Sequence, residues 1–207
     1  MSSSQDQSLI NKVFSSDNTA GASPAVLQAM MDAGAGIQAP YGMDRHSEQV
    51  EQALADIFEC PVSVFFVATG TAANALALSV YTPPWGAVLC HQESHINVDE
   101  CGAPEFFTHG AKLVFVEGDD SKISPKVLAT MAAPNTADAH SVQTSVVSVT
   151  QTTETGSIYS LNELSEIGRI CKENGLKFHM DGARFANALV ALDCSPAAMT
   201  WQAGVDV

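Results

Sequence analysis

The sequence contains few charged residues, and very few of them are basic. Charged residues make up 15% of the 207, and 9 Lys and Arg face 23 Asp and Glu, which gives a net charge of −14. Such a chain repels phosphate backbones, so we expect no nucleic acid partner. No apolar run approaches the roughly 20 residues needed to cross a bilayer, and the N-terminus does not resemble a secretory signal. We expect a cytoplasmic protein that has no membrane partner.

The sequence also lacks paired metal-ligand motifs. Its five cysteines form no CxxC pair, so neither a disulfide framework nor a zinc ribbon is indicated. His91 and His95 stand four residues apart, but HQESH is not HExxH and the spacing indicates no third ligand. We expect no metal site. Each histidine is either an ordinary surface or core residue, or a ring that faces an aromatic cofactor or carries a proton.

The sequence does contain an alternation of helix and strand patterns. Apolar spacing and end signals, such as the candidate caps Ser23 and Ser47, predict helices over 23–34, 47–58, 71–80, 124–131 and 161–175. Compact apolar runs predict strands over 62–67, 87–90, 112–117, 145–150 and 176–181. Continuous apolar strands between helices favour an α/β fold, a mostly parallel sheet with helices on both faces. Ligands of such sheets bind beyond the carboxyl ends of the strands.

The first candidate site is the turn ATGTAAN, residues 68–74. Gly70 permits a sharp turn, and the amides of Thr71, Ala72 and Ala73 would open a helix as unpaired donors suited to a phosphate. The turn is neither a Walker loop nor a GxGxxG fingerprint. The alternative is an ordinary close turn between a strand and a helix.

The second candidate site is FHMDGARFAN, residues 178–187. An aspartate at the end of a buried strand, Asp181, requires a partner for its charge. The protonated ring nitrogen of pyridoxal phosphate is such a partner. Arg184 follows three residues later and is suited to a carboxylate or to the cofactor. The alternative is a simple ion pair between Asp181 and Arg184.

A phosphate turn, a histidine, then a strand-end aspartate followed by an arginine is the chain order of aminotransferase-type, fold type I, pyridoxal phosphate enzymes. Five longer segments resemble the low-specificity L-threonine aldolases, including phenylserine aldolases, which are similar to β-eliminating lyases. They are FVATGTAANALALS, SHINVDECGAPEFF, TQTTETGSIY, LKFHMDGARFANA and TWQAGVDV. The resemblance runs from about Phe14 to Val207.

The resemblance implies a role for each matching residue. Gly70, Thr71 and Ala72 would bind the cofactor phosphate. His95 would stack on the pyridine ring, and Asp181 would pair with the ring nitrogen. The remaining residues would lie at the substrate: Arg184 against cofactor or substrate, His140 as a second active-site histidine, and Ser16 and Tyr41 in the substrate pocket. Tyr41 begins YGMD where the family has YGDD, so only Asp44 remains of the acidic pair.

The resemblance also implies the domain organisation and the activity. Residues 1–14 would be an N-terminal segment that is mobile at its start, and 15–207 would form most of the cofactor-binding large domain. The Schiff-base lysine and a smaller C-terminal domain would lie beyond Val207. The family assembles as dimers of dimers, so we expect a homo-oligomer.

The expected reaction is retro-aldol cleavage of β-hydroxy-α-amino acids, such as threonine, allo-threonine and phenylserine, to glycine and an aldehyde. His95 or His140 is the expected base. The alternatives are another reaction of the same cofactor, namely β-elimination, transamination or racemisation, or a truncated fragment without activity.

Overall fold

The structure is a computed structural model that describes residues 20–133 and 138–207. The described residues divide into two units between Val50 and Glu51. Ser16 and the predicted N-terminal segment 1–14 lie outside the described residues.

In the first unit, helix α1 spans Pro24–Ala33. The Ser23 hydroxyl accepts the Val26 N–H at 3.3 Å, which confirms the predicted cap. Helix α2 spans Arg45–Phe58 and continues past the division of the chain. The predicted cap at Ser47 is wrong: Asp44 accepts the N–H groups of His46 and Ser47 at 2.9 and 3.0 Å. A carboxylate at this position also complements the positive end of the helix dipole.

The second unit contains the sheet and the helices that cover it. The helices are α3 Gly70–Tyr81, α4 His95–Val98, α5 Ala103–Phe107, α6 Pro125–Met131, α7 Leu161–Asn174, α8 Phe185–Leu192 and α9 Pro196–Met199, followed by a 3₁₀ turn at Trp201–Ala203. The strands are β1 Gly86–Cys90, β2 Lys112–Phe115, β3 Gln143–Thr150 and β4 Lys177–Asp181.

The sheet is parallel throughout, in the order β2-β1-β3-β4. Strands β3 and β4 run in register to their ends, where Thr150 lies beside Asp181. One face packs on α7, α8 and α9 through an apolar cluster that includes Leu164, Phe178 and Met199. The other face packs on α3 through Leu78, Val88 and Val146. The predicted α/β architecture, with helices on both faces, is therefore confirmed.

Helix α7 shows how local sequence sets an element. Ser160 and Glu163 form a capping box at its start, and Gly175 ends it in the left-handed conformation at φ 69°. Both signals act over a few residues, which is why the sequence predicts this helix correctly. In its middle, Gly168 lies against the 3₁₀ turn, and a Cβ at this position would overlap the Ala203 carbonyl oxygen.

The predicted strand 62–67 is wrong for this structure, because residues 61–67 have no strand assignment. Phe65 and Phe66 are 84% and 73% exposed. A strand needs a neighbour to receive its backbone hydrogen bonds. The β4 edge is instead used by the last residues of the chain, since the Phe178 carbonyl accepts the Asp206 N–H and the Met180 N–H donates to the Val207 carbonyl. None of the described strands pairs with 62–67.

Within the described ranges, no helix combines the length and the apolar character required to cross a membrane.

Candidate active site

The carboxyl end of β4 is joined to helix α3 by a side-chain hydrogen bond. Asp181 Oδ2 accepts an N–H of Asn74 Nδ2 at 2.9 Å, and Asp181 Oδ1 accepts the Ala183 N–H at 3.0 Å. Asn74 is 5% exposed. The two donors fix the direction of the carboxylate, and both are neutral amides.

A second carboxylate, Glu100, lies beside this bond. Its Oε1 atom is 2.8 Å from Asn74 Nδ2 and 2.9 Å from His95 Nδ1. The Glu100 side chain is fully buried, whereas the His95 side chain is 38% exposed. Asn74 thus bridges Asp181 and Glu100, and Glu100 holds the His95 ring. These four residues are called the Asn74 network below.

Arg184 does not form the ion pair with Asp181 that the sequence leaves open. Its Nε and Nη2 atoms donate to the Thr152 carbonyl at 3.2 and 3.0 Å. Its nearest acidic partner among the described residues is Glu154, at 3.8 Å. Glu154 Oε1 also accepts the His95 backbone N–H at 3.0 Å. The Asp181 carboxylate therefore has no cationic hydrogen-bond partner within the described part of the chain.

The turn before α3 presents backbone donors at the same edge of the sheet. The Thr69 hydroxyl accepts the Ala72 N–H at 3.1 Å, and the Thr69 carbonyl accepts the Ala73 N–H at 3.1 Å. The amides of Gly70 and Thr71 have no acceptor within the helix. A Cβ built on Gly70 would meet nothing within 4 Å. Of the three residues predicted to bind phosphate, Ala72 thus has its N–H already paired with Thr69, whereas Gly70 borders open space.

The neighbouring histidine is hydrogen-bonded, and the neighbouring cysteine is buried. His91 is buried, its Nδ1 accepts the Glu93 N–H at 3.2 Å and its Nε2 lies 3.3 Å from the Gly118 carbonyl. Burial raises the pKa of the Cys90 thiol to about 11, so this thiol is protonated at neutral pH. Neither residue is available as a reactive group.

Ligand atoms of His95, Glu100 and Asp181 lie within 4.8 Å of one another, a spacing that a metal ion could bridge. Asn74 donates to both carboxylates of this group. Its side-chain amide thus lies between Glu100 Oε1 and Asp181 Oδ2 and donates to both oxygens. Hydrogen bonds therefore account for this cluster.

Of the predicted site residues in the second unit, His140 is not brought to this edge. His140 is exposed and precedes β3, and its backbone N–H donates to Asp138 at 2.9 Å. Since a strand rises about 3.3 Å per residue, β3 separates His140 from Thr150 by more than roughly 20 Å. Tyr41 belongs to the first unit, where it is 94% exposed with φ 63°. Ser16 lies outside the described ranges.

The sequence analysis missed Asn74, Glu100 and Glu154. Asn74 stands four residues after Gly70, one helical turn into α3, which is a usable signal for a side chain on the same face. Glu100 follows a four-residue helix, and Glu154 follows β3. Glu154 also follows the end of a strand. The expectation that ligands bind beyond the carboxyl ends of the strands, which indicated Asp181, therefore applies to Glu154 as well.

The residues of this site fit pyridoxal phosphate. Asp181 offers a carboxylate with only neutral donors, which suits a protonated ring nitrogen. Gly70 and Thr71 offer amides to a phosphate. Arg184 is 41% exposed at its side chain and can also reach an anionic group. The fit rests on the unpaired donors and on the absence of a cation at Asp181 among the described residues.

Comparisons with known proteins agree with this chemistry. A family model described as Beta-eliminating lyase matches residues 14–207. The low specificity L-threonine aldolase of a Pseudomonas species is 43% identical over 194 residues, which cover 94% of this chain and 56% of that protein. The chain thus spans about half the length of this curated relative.

Solved structures give the same picture. The structure of Leishmania major threonine aldolase matches with a TM-score of 0.80 and 32% identity, over 87% of this chain and 53% of that chain. N-Succinyldiaminopimelate aminotransferase from Mycobacterium tuberculosis matches with a TM-score of 0.58 and 18% identity, over 78% of this chain and 42% of that one. The second likeness shows the fold alone, which is the predicted aminotransferase type.

Proposed function

Because the chain belongs to the Beta-eliminating lyase family, among the low-specificity L-threonine aldolases, we propose that the whole protein is a pyridoxal phosphate-dependent aldehyde-lyase. It cleaves β-hydroxy-α-amino acids of the threonine, allo-threonine and phenylserine type to glycine and an aldehyde. The observation that carries the proposal is the Asp181 carboxylate, fixed at the end of β4 by two neutral N–H donors.

The cofactor, when bound, supplies a sink for the electrons released as the Cα–Cβ bond breaks. The residues of this chain hold it. Gly70, Thr71 and Ala72 would line the phosphate site, and the amides of Gly70 and Thr71 would be its donors, because the Ala72 N–H is already bonded to Thr69. Asp181 holds the proton on the ring nitrogen, because a carboxylate stabilises a nearby positive charge. His95 would lie against the ring.

The cleavage also requires a base that removes the proton of the substrate β-hydroxyl. His95 is the proposed base, since its ring borders Glu100 and Asp181 through the Asn74 network while part of it stays exposed. His140 lies at the opposite end of β3 from Thr150. Arg184 is proposed to bind the cofactor or the substrate carboxylate, and Ser16 and Tyr41 to contribute to the substrate pocket.

We propose a cytoplasmic homotetramer, a dimer of dimers. All five cysteines lie in the described ranges and are free, which agrees with a reducing compartment. Large apolar side chains remain uncovered on the helices of the second unit, such as Val80 at 74% and Phe106 at 76% exposure. Apolar surface of this kind is typical of sites that associate with other chains.

Product analysis tests the reaction class. The protein in its full natural length is incubated with pyridoxal phosphate and with L-threonine or phenylserine. We expect equal amounts of glycine and acetaldehyde or benzaldehyde. The aldolase assignment would be contradicted by any of three other outcomes. These are ammonia with a keto acid, from β-elimination; a keto acid with transfer of the amino group, from transamination; and racemised substrate.

A matched pair of variants links the reaction to this site. Asp181→Asn removes the charge that holds the ring proton, and turnover should fall strongly. Asp138→Asn removes an equivalent charge before β3, where Asp138 accepts the His140 N–H, and turnover should stay unchanged. If both variants retained full turnover, Asp181 would not serve the cofactor.

A further inference from the structure

Glu100 is unusual among the acidic residues of this chain. Of the described residues, it is the single Asp or Glu that is buried, at 3% exposure. A buried carboxylate is costly unless donors reach it. Both donors reach the same atom, Oε1, while Oε2 is buried without a hydrogen-bond partner. Both hydrogen bonds that Glu100 accepts therefore end on a single oxygen, Oε1.

The contact between Glu100 and His95 determines where the ring proton lies. An ionised carboxylate has lone pairs and no hydrogen to donate. If Glu100 is ionised, the hydrogen of this 2.9 Å contact therefore belongs to His95 Nδ1. In neutral imidazole the other nitrogen, Nε2, then has a lone pair. The backbone of His95 is fixed as well, because its N–H donates to Glu154.

The same carboxylate oxygen is connected to Asp181. Asn74 Nδ2 carries two N–H groups, and its two acceptors are Glu100 Oε1 and Asp181 Oδ2, at 2.8 and 2.9 Å. Loss of the Glu100 carboxylate would free Asn74 to rotate away from Asp181. One buried acid therefore contacts His95 directly and Asp181 through Asn74.

We propose that Glu100 is a positioning residue, which holds the proton of His95 on Nδ1 so that Nε2 presents a lone pair, and which fixes Asp181 through Asn74. This inference rests on the proposed function where it concerns turnover, because only then does the Nε2 lone pair act as a base. The tautomer itself is a property of this chain without cofactor or substrate. It can therefore be measured independently.

The primary test is ¹⁵N NMR of the histidine rings in the cofactor-free protein, at a pH where imidazole is neutral. His95→Asn identifies the His95 signals by their loss. We expect a protonated-type signal at Nδ1 and a pyridine-type signal at Nε2. The opposite pattern in the wild-type protein would overturn the proposal, and this result needs no Glu100 variant to fold.

Three variants test the role of the carboxylate. Glu100→Ala should shift His95 toward the Nε2–H tautomer that free imidazole side chains prefer in water. Glu100→Gln should keep the Nδ1–H tautomer, because its amide oxygen can take the place of Oε1 between two donors. Asp99→Asn removes the same charge from the exposed neighbouring residue and should leave the tautomer unchanged. A Glu100→Ala protein that folds and keeps the wild-type tautomer would contradict the assignment.

Kinetics with the cofactor-loaded protein separates positioning from simple structural support. Glu100→Ala should lower kcat by about 10²-fold, the lower end for loss of a general base, with little change in KM. Glu100→Gln should recover most of that loss. Equal losses in both variants would contradict the proposal. A protein with the expected tautomer that produces no glycine would refute the proposed function and leave the assignment of Glu100 in place.

Discussion

Asp181 and Asn74 are joined by a hydrogen bond of 2.9 Å although 107 residues separate them in the sequence. The bond ties the start of α3 to the end of β4. These two elements carry the groups proposed to bind the cofactor phosphate and the ring nitrogen. Side chains of the protein itself therefore fix the relative position of these two elements.

Replacement of Asn74 should destabilise the fold. Asn74→Ala leaves two carboxylates facing each other without the bridging N–H groups, and hydrogen bonds to charged groups contribute about 1.5–3 kcal/mol each. We expect the free energy of unfolding in urea to fall by about 3 kcal/mol. Asn97→Ala is the control, because Asn97 is exposed and its side-chain amide donates to a backbone carbonyl, that of Gln92, and to no carboxylate. An equal effect of both variants would show that the bridge contributes little.

Replacement of the two candidate bases, His95 and His140, should affect turnover differently. His95→Asn should lower kcat for phenylserine cleavage by at least roughly 10²-fold, as expected for loss of a general base. His140→Asn should lower it by less than about tenfold, because His140 precedes β3 and lies far from Asp181. Steady-state kinetics of both variants decides between them. Normal turnover in His95→Asn would refute the assignment of His95.

His179 should make stability depend on pH. Burial lowers the pKa of His179 to about 4, and the Asp181 carboxylate partly offsets this effect. In the unfolded chain the ring titrates near 6.5. Between these values the unfolded state binds a proton that the native state does not, so stability falls as pH decreases from about 6.5 to about 4 and is unaffected above this range.

Urea unfolding at pH 7 and at pH 4.5 measures this contribution. Between the two pH values, the free energy of unfolding of the wild-type protein should fall by about 3 kcal/mol more than that of His179→Asn. His109→Asn removes an exposed histidine and should behave as wild type. If all three proteins lost the same amount, His179 would not be the group responsible.

Gly168 should tolerate no side chain. Gly168→Ala places a methyl group against the Ala203 carbonyl oxygen, where both partners are backbone. Overpacking typically costs about 1–3 kcal/mol, and a backbone overlap lies at the upper end or beyond. Thermal unfolding should show a clearly lowered Tm. An alanine at this position with wild-type Tm would mean that α7 and the 3₁₀ turn can separate freely.

Gly70, unlike Gly168, should tolerate an alanine without loss of stability. A Cβ at this position meets nothing within 4 Å, and alanine is favourable in the first turn of a helix. Gly70→Ala should therefore keep the Tm of the wild type while it weakens pyridoxal phosphate binding, measured by absorbance titration. Unchanged cofactor affinity would indicate that the phosphate lies elsewhere.

Local patterns were sufficient for much of the fold. The helix from Leu161 to Asn174 is marked by its capping box and by Gly175, which act within a few residues. The same holds for the end of β4, where Asp181 interrupts an apolar run. The sequence therefore predicted correctly that Asp181 lies at the end of a strand.

The remaining site residues depend on distant contacts. Glu100 meets Asn74 across 26 residues, and Asn74 meets Asp181 across 107. No periodicity in one segment reports such pairs. The strand predicted at 62–67 failed for the related reason that strand formation depends on a neighbour as well as on composition.

Residues 62–67, VSVFFV, have a consequence for handling this polypeptide. They form an uncharged segment of high β-propensity, and Phe65 and Phe66 are exposed. Segments of this type stack against copies of themselves and form aggregates when nothing covers them. Any self-association of the 207-residue chain should therefore be tested with Phe66→Lys. If it disappears in this variant, it reflects aggregation through this segment and not the proposed tetramer.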